Sequence, residues 1–220
     1  MSNTKEILRF LRQLKKNNDR EWMQQQKPLY QAQRGAFMDL VGNTIEGLAR
    51  FEQGVQGLEP KDCVFRINRD IRFSKDKTLY KTHFGAYMAD GGRKSMLPGY
   101  YLHLEPGNKS ILAAGVYHPP SDLLAKIRQE IDYNPKDFLK IVEKKSWKEE
   151  FGALEGERLI RAPKGYPIDH PQIQYLQLKS FMALKRFKDT EVTDSKFSKT
   201  ILQTYKRMSP LVQFLQTAIS

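Results

Sequence analysis

Arginine, lysine, tyrosine and histidine side chains are concentrated between residues 65 and 83, and their types and spacing are suited to binding an anion. Guanidinium groups bind carboxylate or phosphate oxygens through paired hydrogen bonds, and lysine and tyrosine supply further donors. We therefore infer a candidate site for an anionic, phosphate-bearing small molecule. Its residues are Arg66, Arg69, Arg72, Lys77, Tyr80 and His83.

Within this segment, residues 65–73 alternate between apolar and polar side chains, which predicts a β-strand with one buried face. Arg69 is the one polar residue at the apolar positions. An arginine there needs a partner, because an unpaired buried charge costs about 3–5 kcal/mol. In one interpretation the partner is an anionic ligand. In the other it is a carboxylate of the protein, such as Asp70 or Glu105, within an ion-pair network.

A second set of polar side chains lies on the predicted strand 99–105, where alternation places Tyr101, His103 and Glu105 on one face. His103 and Glu105, joined by His83 from a neighbouring strand, could bind a metal ion or transfer a substrate proton. The sequence has only four histidines, no H-x-x-x-H pair and one cysteine. We therefore favour an ordinary half-exposed sheet face, and we expect no metal ion and no cofactor.

Convergence of the two sets of side chains on one cleft would support ligand binding, since recognition needs concavity and several polar groups. The residues that would line that cleft are Asp70, Tyr101, His103 and Glu105. An enzyme that uses Asp70, His103 or Glu105 is an alternative function. No glycine-rich phosphate loop of the G-x-x-x-x-G-K-[ST] or G-x-G-x-x-G type occurs, so side chains would have to hold a phosphate.

The net charge of +12 over 220 residues also indicates an anionic partner. The excess of lysine and arginine falls in three regions, 5–20, 61–94 and 179–207. A nucleic-acid-binding module that uses this dispersed surface is therefore the main alternative to a small-molecule site. A steep dependence of affinity on salt would distinguish it.

Nothing in the sequence predicts insertion into a membrane. No apolar run approaches the roughly 20 residues that span a bilayer, and the first residues predict an amphipathic helix instead of a signal peptide. The single cysteine, Cys63, cannot form an intrachain disulfide. We expect a cytoplasmic protein without a membrane partner, in which Cys63 is buried among apolar residues.

The order of periodic segments predicts an α+β fold in a single domain, 1–220, with N-terminal helices, a central antiparallel sheet and C-terminal helices packed on the sheet. Helices are expected at 4–17, around Trp22, at 28–51, 119–131, 134–145 and 171–179, and as two pieces across 194–219 that break at Ser209-Pro210. Strands are expected at 65–73, 83–89, 99–105, 110–117 and 180–185, and a loop-rich interval at 146–170.

These residues resemble those of a known family, the domain-of-unknown-function 2461 proteins, which are found mainly in bacteria. The family signature is R-x-x-R-D-x-R-F followed by K-x-x-Y. Its positions are occupied here by Arg66, Arg69, Asp70, Arg72, Phe73, Lys77 and Tyr80. The stretches 18–22, 98–107 and 164–181 are similar to the family as well. The resemblance implies one domain over nearly the whole chain, and it implies no substrate, reaction or cofactor, because the family has no established activity.

Overall fold

Four segments, most of whose residues are buried, form one antiparallel sheet in the computed structural model, which describes residues 4–220. The strands lie side by side in chain order, and each pairs antiparallel with the next. They are β1 (Phe84–Met88), β2 (Gly99–Leu104), β3 (Ser110–Val116) and β4 (Phe181–Phe187). The short connections between β1, β2 and β3 favour this order.

The N-terminal part is helical, as predicted. Its helices are α1 (Thr4–Lys16), α2 (Arg20–Gln25), α3 (Lys27–Leu48) and α4 (Pro60–Cys63). The Asp19 carboxylate accepts a hydrogen bond of 2.8 Å from the backbone N–H of Trp22, which caps α2. Cys63 is fully buried, in agreement with its expected environment.

Helices return after β3 and flank β4. They are α5 (Ser121–Tyr133), α6 (Pro135–Val142), α7 (Lys145–Phe151), α8 (Ile173–Leu176), α9 (Asp189–Val192) and α10 (Phe197–Ile219). The predicted loop at 146–170 is therefore wrong at its start, since α7 buries Trp147 and Phe151 four residues apart. The α+β class is confirmed, with its N-terminal helices, central antiparallel sheet and C-terminal helices.

The predicted break at Ser209-Pro210 is also wrong, because α10 continues through it. Proline at position 210 cannot donate to the carbonyl of Lys206, four residues earlier. The Ser209 hydroxyl donates to that carbonyl instead, at 3.0 Å. Met208 and Leu211 are fully buried on either side of the proline. Packing and the substitute hydrogen bond thus keep the helix continuous.

The predicted strand at 65–73 does not form, so Arg69 lies in a loop and not on the buried face of a strand. Only Val64 bridges to Ala86 at the free edge of β1, after which the chain turns away and pairs with itself between Asn68 and Tyr80. The carbonyl of Leu79 accepts from the N–H of Arg69 at 2.9 Å. Because this hairpin-like loop leaves the sheet, its alternation does not produce one buried face. Phe73, an expected core residue, is 94% exposed.

One face of the sheet is buried against helices. Helix α3 packs against β1, and α10 packs against β3. The side chains of Tyr100, Leu102 and Leu104 point into this core and are fully buried. Their neighbours along β2 therefore face the other way, because successive side chains of a strand point to opposite faces. No helix within residues 4–220 is long and apolar enough to cross a membrane.

A glycine in β3 provides a test of how closely the backbones of β3 and β4 approach each other. Gly115 has a φ of 132°, and a Cβ there would collide with the carbonyl oxygen of Phe181 on β4. We predict that Gly115→Ala lowers the free energy of unfolding by more than about 3 kcal/mol, through clash and backbone strain together. Urea unfolding followed by circular dichroism measures this.

Gly107→Ala is the matched control, because Gly107 also has a positive φ of 89° but has nothing within 4 Å of the added Cβ. It should cost only about 1–2 kcal/mol, the strain of the backbone alone. Equal losses for the two variants would show that the close approach of β3 to β4 at Gly115 is not as described.

Candidate functional site

The sheet face opposite the helices forms the floor of a cleft with a volume of about 790 Å³, called here the sheet cleft. Tyr87, Tyr101, Ala113 and Leu184 are cross-strand neighbours and form one row across all four strands. Ile111 and Met182 lie beside this row in the floor. The floor is thus apolar and aromatic, a composition suited to the non-polar body of a small molecule.

The walls of the sheet cleft follow the two edges of the sheet. Val64 bridges to Ala86 at the free edge of β1, and Glu155 bridges to Met182 at the free edge of β4. The wall residues are Phe65, Lys81 and His83 beside β1, Arg93, Ser95 and Met96 at one end, and Tyr117, His118, Glu155 and Gly156 beside β3 and β4. Each edge of the sheet thus pairs with another segment of the chain at one position.

Two cations line the cleft without a carboxylate partner among residues 4–220. Lys81 lies with its ammonium 5.4 Å from the centre of the Phe65 ring. Burial, with the nearby Arg66 charge, lowers the pKa of Lys81. Arg93 donates to the carbonyl of Lys61 at 2.7 Å. Glu155, the carboxylate in the wall, is already paired with Arg186 at 2.9 Å. The cleft therefore has positive charge available for an anion.

A hydrogen-bonded chain of three side chains continues along β2 from the cleft floor. The Tyr101 hydroxyl lies 3.0 Å from His103 Nδ1, and His103 Nε2 lies 3.0 Å from Glu105 Oε2. Because an ionised carboxylate only accepts, the Nε2–H donates to Glu105, and Nδ1 accepts from the tyrosine. Gly85 makes room for this arrangement, since a Cβ there would lie 2.9 Å from the Tyr101 oxygen.

His83 stacks on His103, with the ring centres 4.1 Å apart. Burial lowers the pKa of His83 to about 4, and the neighbouring ring of His103 adds to this effect. Burial also lowers the pKa of His103, although the hydrogen bond to Glu105 opposes that shift. Burial raises the pKa of Tyr101 to about 12. At neutral pH the side chains of His83, His103 and Tyr101 are therefore uncharged.

The six residues of the predicted anion site do not come together. Arg69 pairs with Asp76, and Arg72 pairs with Asp70 at 2.7 Å, so both guanidinium groups are neutralised within the loop. Lys77 donates to the carbonyl of Ile71 at 3.1 Å. Of the six, His83 alone lines the sheet cleft.

The remaining members of that set have other surroundings. Tyr80 lines a second depression of about 380 Å³, together with Arg20 and Lys27 of the N-terminal helices. Arg66 is exposed, forms no ion pair within residues 4–220, and lies close enough to Lys81 to lower that residue's pKa. Arg66 is therefore a neighbour of the cleft, whereas Tyr80 belongs to a different surface.

The predicted cleft-lining residues lie nearer to one another. Tyr101, His103 and Glu105 share one face of β2 as expected, and His83 joins them from the start of β1. Asp70 does not, because it is paired with Arg72 on the outer loop. An active site that combines Asp70 with His103 or Glu105 is therefore not assembled in this structure.

Several cleft residues were not found from the sequence. Lys81, Arg93 and Tyr87 come from separate segments, and their convergence depends on how the chain runs along the sheet edges. The one usable signal was alternation along β1, which places Tyr87 on the same face as Gly85. No local pattern marks Arg93 or Met96 as members of a site.

The lowered pKa of His83 predicts how the stability of the folded protein depends on pH. Its value of about 4 in the folded protein lies below the ordinary 6.5, so the unfolded chain binds more protons between these values. The stabilising contribution is therefore complete above pH 6.5 and is lost as the pH falls towards 4. His103, Glu105 and Lys81 are the titratable groups that act on the ring, and the first two face it directly.

We expect the free energy of unfolding of the wild type to fall over this pH range more steeply than that of His83→Asn. Urea unfolding at a series of pH values, in buffer with EDTA, measures the difference. Equal slopes for the two proteins would mean that the folded protein protonates His83 as readily as the unfolded chain does.

Comparison with known proteins identifies the family to which the chain belongs. Neither a curated protein nor a solved structure matches the chain. Residues 6–214 match the family described as "Conserved hypothetical protein (DUF2461)". This match covers nearly the whole chain, including every strand and the sheet cleft, and it agrees with the resemblance noted from the signature residues. The protein therefore belongs to the DUF2461 family of conserved hypothetical proteins.

Proposed function

We propose that the protein binds a small molecule with a planar, apolar body and one anionic group in the sheet cleft. The observation that carries this proposal is the pairing of an aromatic floor with cations that have no carboxylate partner among residues 4–220. Lys81 and Arg93 are partly buried, and an anionic ligand would supply the carboxylate or phosphate partner that these cations lack among residues 4–220.

The apolar part of the ligand would lie on the floor. Tyr87 and Tyr101 stand side by side on adjacent strands, and Phe65 meets Tyr101 edge-on with ring centres 6.3 Å apart. Aromatic side chains stack on flat ring systems and contribute large contact areas. Met96 and Met182 lie in the same cleft and can adapt to an irregular outline.

The anionic group would lie near Lys81. Its ammonium is held over Phe65 at the cleft wall, and Arg66 increases the positive potential around it. A carboxylate or phosphate there forms charge-assisted hydrogen bonds, which are roughly twice as strong as neutral ones. Arg93 offers a second cation at the end of the cleft. The proposed anion site thus lies at Lys81 and Arg93, which have no carboxylate partner among residues 4–220, and not at the paired signature residues Arg69 and Arg72.

We also place the protein in the cytoplasm. The support for this is Cys63, whose pKa is raised to about 11 by burial, so its thiol stays protonated at neutral pH. A buried, protonated thiol does not react readily, and a single cysteine forms no intrachain disulfide, which is typical of proteins in a reducing compartment.

A thermal-shift screen of aromatic carboxylates and aromatic phosphates tests the proposal. A ligand at 100 times its dissociation constant should raise the apparent stability by about 2.7 kcal/mol. Lys81→Met keeps the length of the side chain and removes its charge, so it should weaken binding by about 10- to 100-fold, the value of a hydrogen bond to a charged group.

Arg69→Gln is the matched control. It also removes one positive charge from the same segment, but Arg69 pairs with Asp76 outside the cleft, so its affinity should equal that of the wild type. A loss in Arg69→Gln as large as in Lys81→Met would contradict the cleft as the site. A nucleic-acid-binding module would instead bind oligonucleotides with an affinity that falls steeply as the salt concentration rises. Lys81→Met would then weaken binding no more than Arg69→Gln does.

A further inference from the structure

Three metal-ligating side chains converge beside the sheet cleft, and neither the proposed ligand nor the core accounts for them. Ligand atoms of His83, His103 and Glu105 all lie within 4.8 Å of one another. The register explains why: β1 pairs Phe84 with Leu104, so the next residues outward, His83 and Glu105, stand across from each other. His103 lies two residues before Glu105 on the same face.

Two of the three donors already have the separation that a bound ion requires. His103 Nε2 and Glu105 Oε2 are 3.0 Å apart. Two ligands at about 2.1 Å from one ion are about 3.0 to 3.4 Å from each other as the angle at the ion widens from a right angle to the tetrahedral value that zinc prefers. His83 completes the set once its ring turns out of the stack on His103, and neither of its ring nitrogens forms a hydrogen bond within residues 4–220 that would oppose this turn.

The surrounding residues hold these donors in orientation. The Tyr101 hydroxyl lies 3.0 Å from His103 Nδ1, and the Thr82 hydroxyl donates to Glu105 Oε1 at 3.4 Å. Metal-binding histidines usually form such a hydrogen bond through the second ring nitrogen, which fixes the tautomer. The His103 and Glu105 side chains are only 13% and 17% exposed, so little water competes for them.

We propose that His83, His103 and Glu105 bind a divalent transition-metal ion. Two imidazoles and one carboxylate suit Zn²⁺, Fe²⁺ or Co²⁺, and three protein ligands leave at least one position open. His83 lines the sheet cleft, so an ion on its ring nitrogen would lie beside the space assigned to the small molecule.

The proton balance of binding is simple for His103. Without an ion, Nε2 carries the proton and donates it to Glu105. With an ion on Nε2, the proton resides on Nδ1 and the Tyr101 oxygen accepts it, so the ring stays neutral and releases no net proton. Lys81 carries a positive charge near His83 and opposes the ion. An anion that pairs with Lys81 would therefore strengthen metal binding as well.

Titration of EDTA-treated, dialysed protein with Zn²⁺ and with Co²⁺ tests this site without any ligand of the cleft. Calorimetry should give one ion per chain for the wild type. His83→Asn and Glu105→Gln should each weaken binding at least 100-fold, and Tyr101→Phe should weaken it about 10- to 100-fold, as loss of a supporting residue does. Circular dichroism reports whether each variant is folded.

His118→Asn is the matched control, since it makes the same change at a histidine that lines the cleft but lies outside the cluster. Its affinity should equal that of the wild type. In the wild type, Zn²⁺ should shift the imidazole NMR signals of His83 and His103 and leave those of His118 and His170 in place, which tests the site even if a variant fails to fold. Absence of binding to the wild type, unchanged affinity in His83→Asn, or shifts at His118 or His170 instead, would overturn the proposal.

Discussion

The rest of the structure depends on one constraint. Helices cover only one face of the sheet in which β1 pairs with β2. Helices α3 and α10 bury one set of alternate side chains, including Tyr100 and Leu102. The other set must then face the cleft, because a strand has no third direction for its side chains. A shift of the register by one residue would place Tyr101 and His103 in the core.

The cations of the segment 65–83 have two different roles, since Arg69 and Arg72 form ion pairs within the loop and Lys81 lines the cleft. Arg69 and Arg72 are satisfied by Asp76 and Asp70, which lie within a few residues of them in the same loop. Such exposed pairs contribute little to stability, but they remove two cations from the ligand's surroundings. In the part of the chain that the structure describes, 4–220, Lys81 has no acidic neighbour of this kind, and it lies over an aromatic ring. Arg69 and Arg72 thus form ion pairs within the loop beside the cleft, whereas Lys81 supplies positive charge to the cleft itself.

Much of the fold follows from local patterns in the sequence. Alternation was sufficient to predict β2, to separate Tyr101, His103 and Glu105 from the buried face, and to suggest that His83 joins them. The strand at 65–73 was wrong because alternation describes a side-chain pattern, whereas a strand also needs a partner, and this segment pairs mainly with itself. The break at Pro210 was wrong because a tertiary contact and the Ser209 hydroxyl compensate for the missing donor. Lys81 and Arg93 could not be assigned to one cleft, since only the path of the chain along the sheet edges brings them together.

The central claim is that the sheet cleft is the binding site, and methyl NMR of ¹³C-labelled methionine tests it most directly. Met96 and Met182 line the cleft, whereas Met88 and Met208 are buried in the helix-covered core. Addition of an aromatic carboxylate or phosphate that binds should shift the methyl signals of Met96 and Met182 and leave those of Met88 and Met208 unchanged. Shifts confined to Met23, which lies beside the second depression, would contradict the account, as would binding that moves neither cleft methionine.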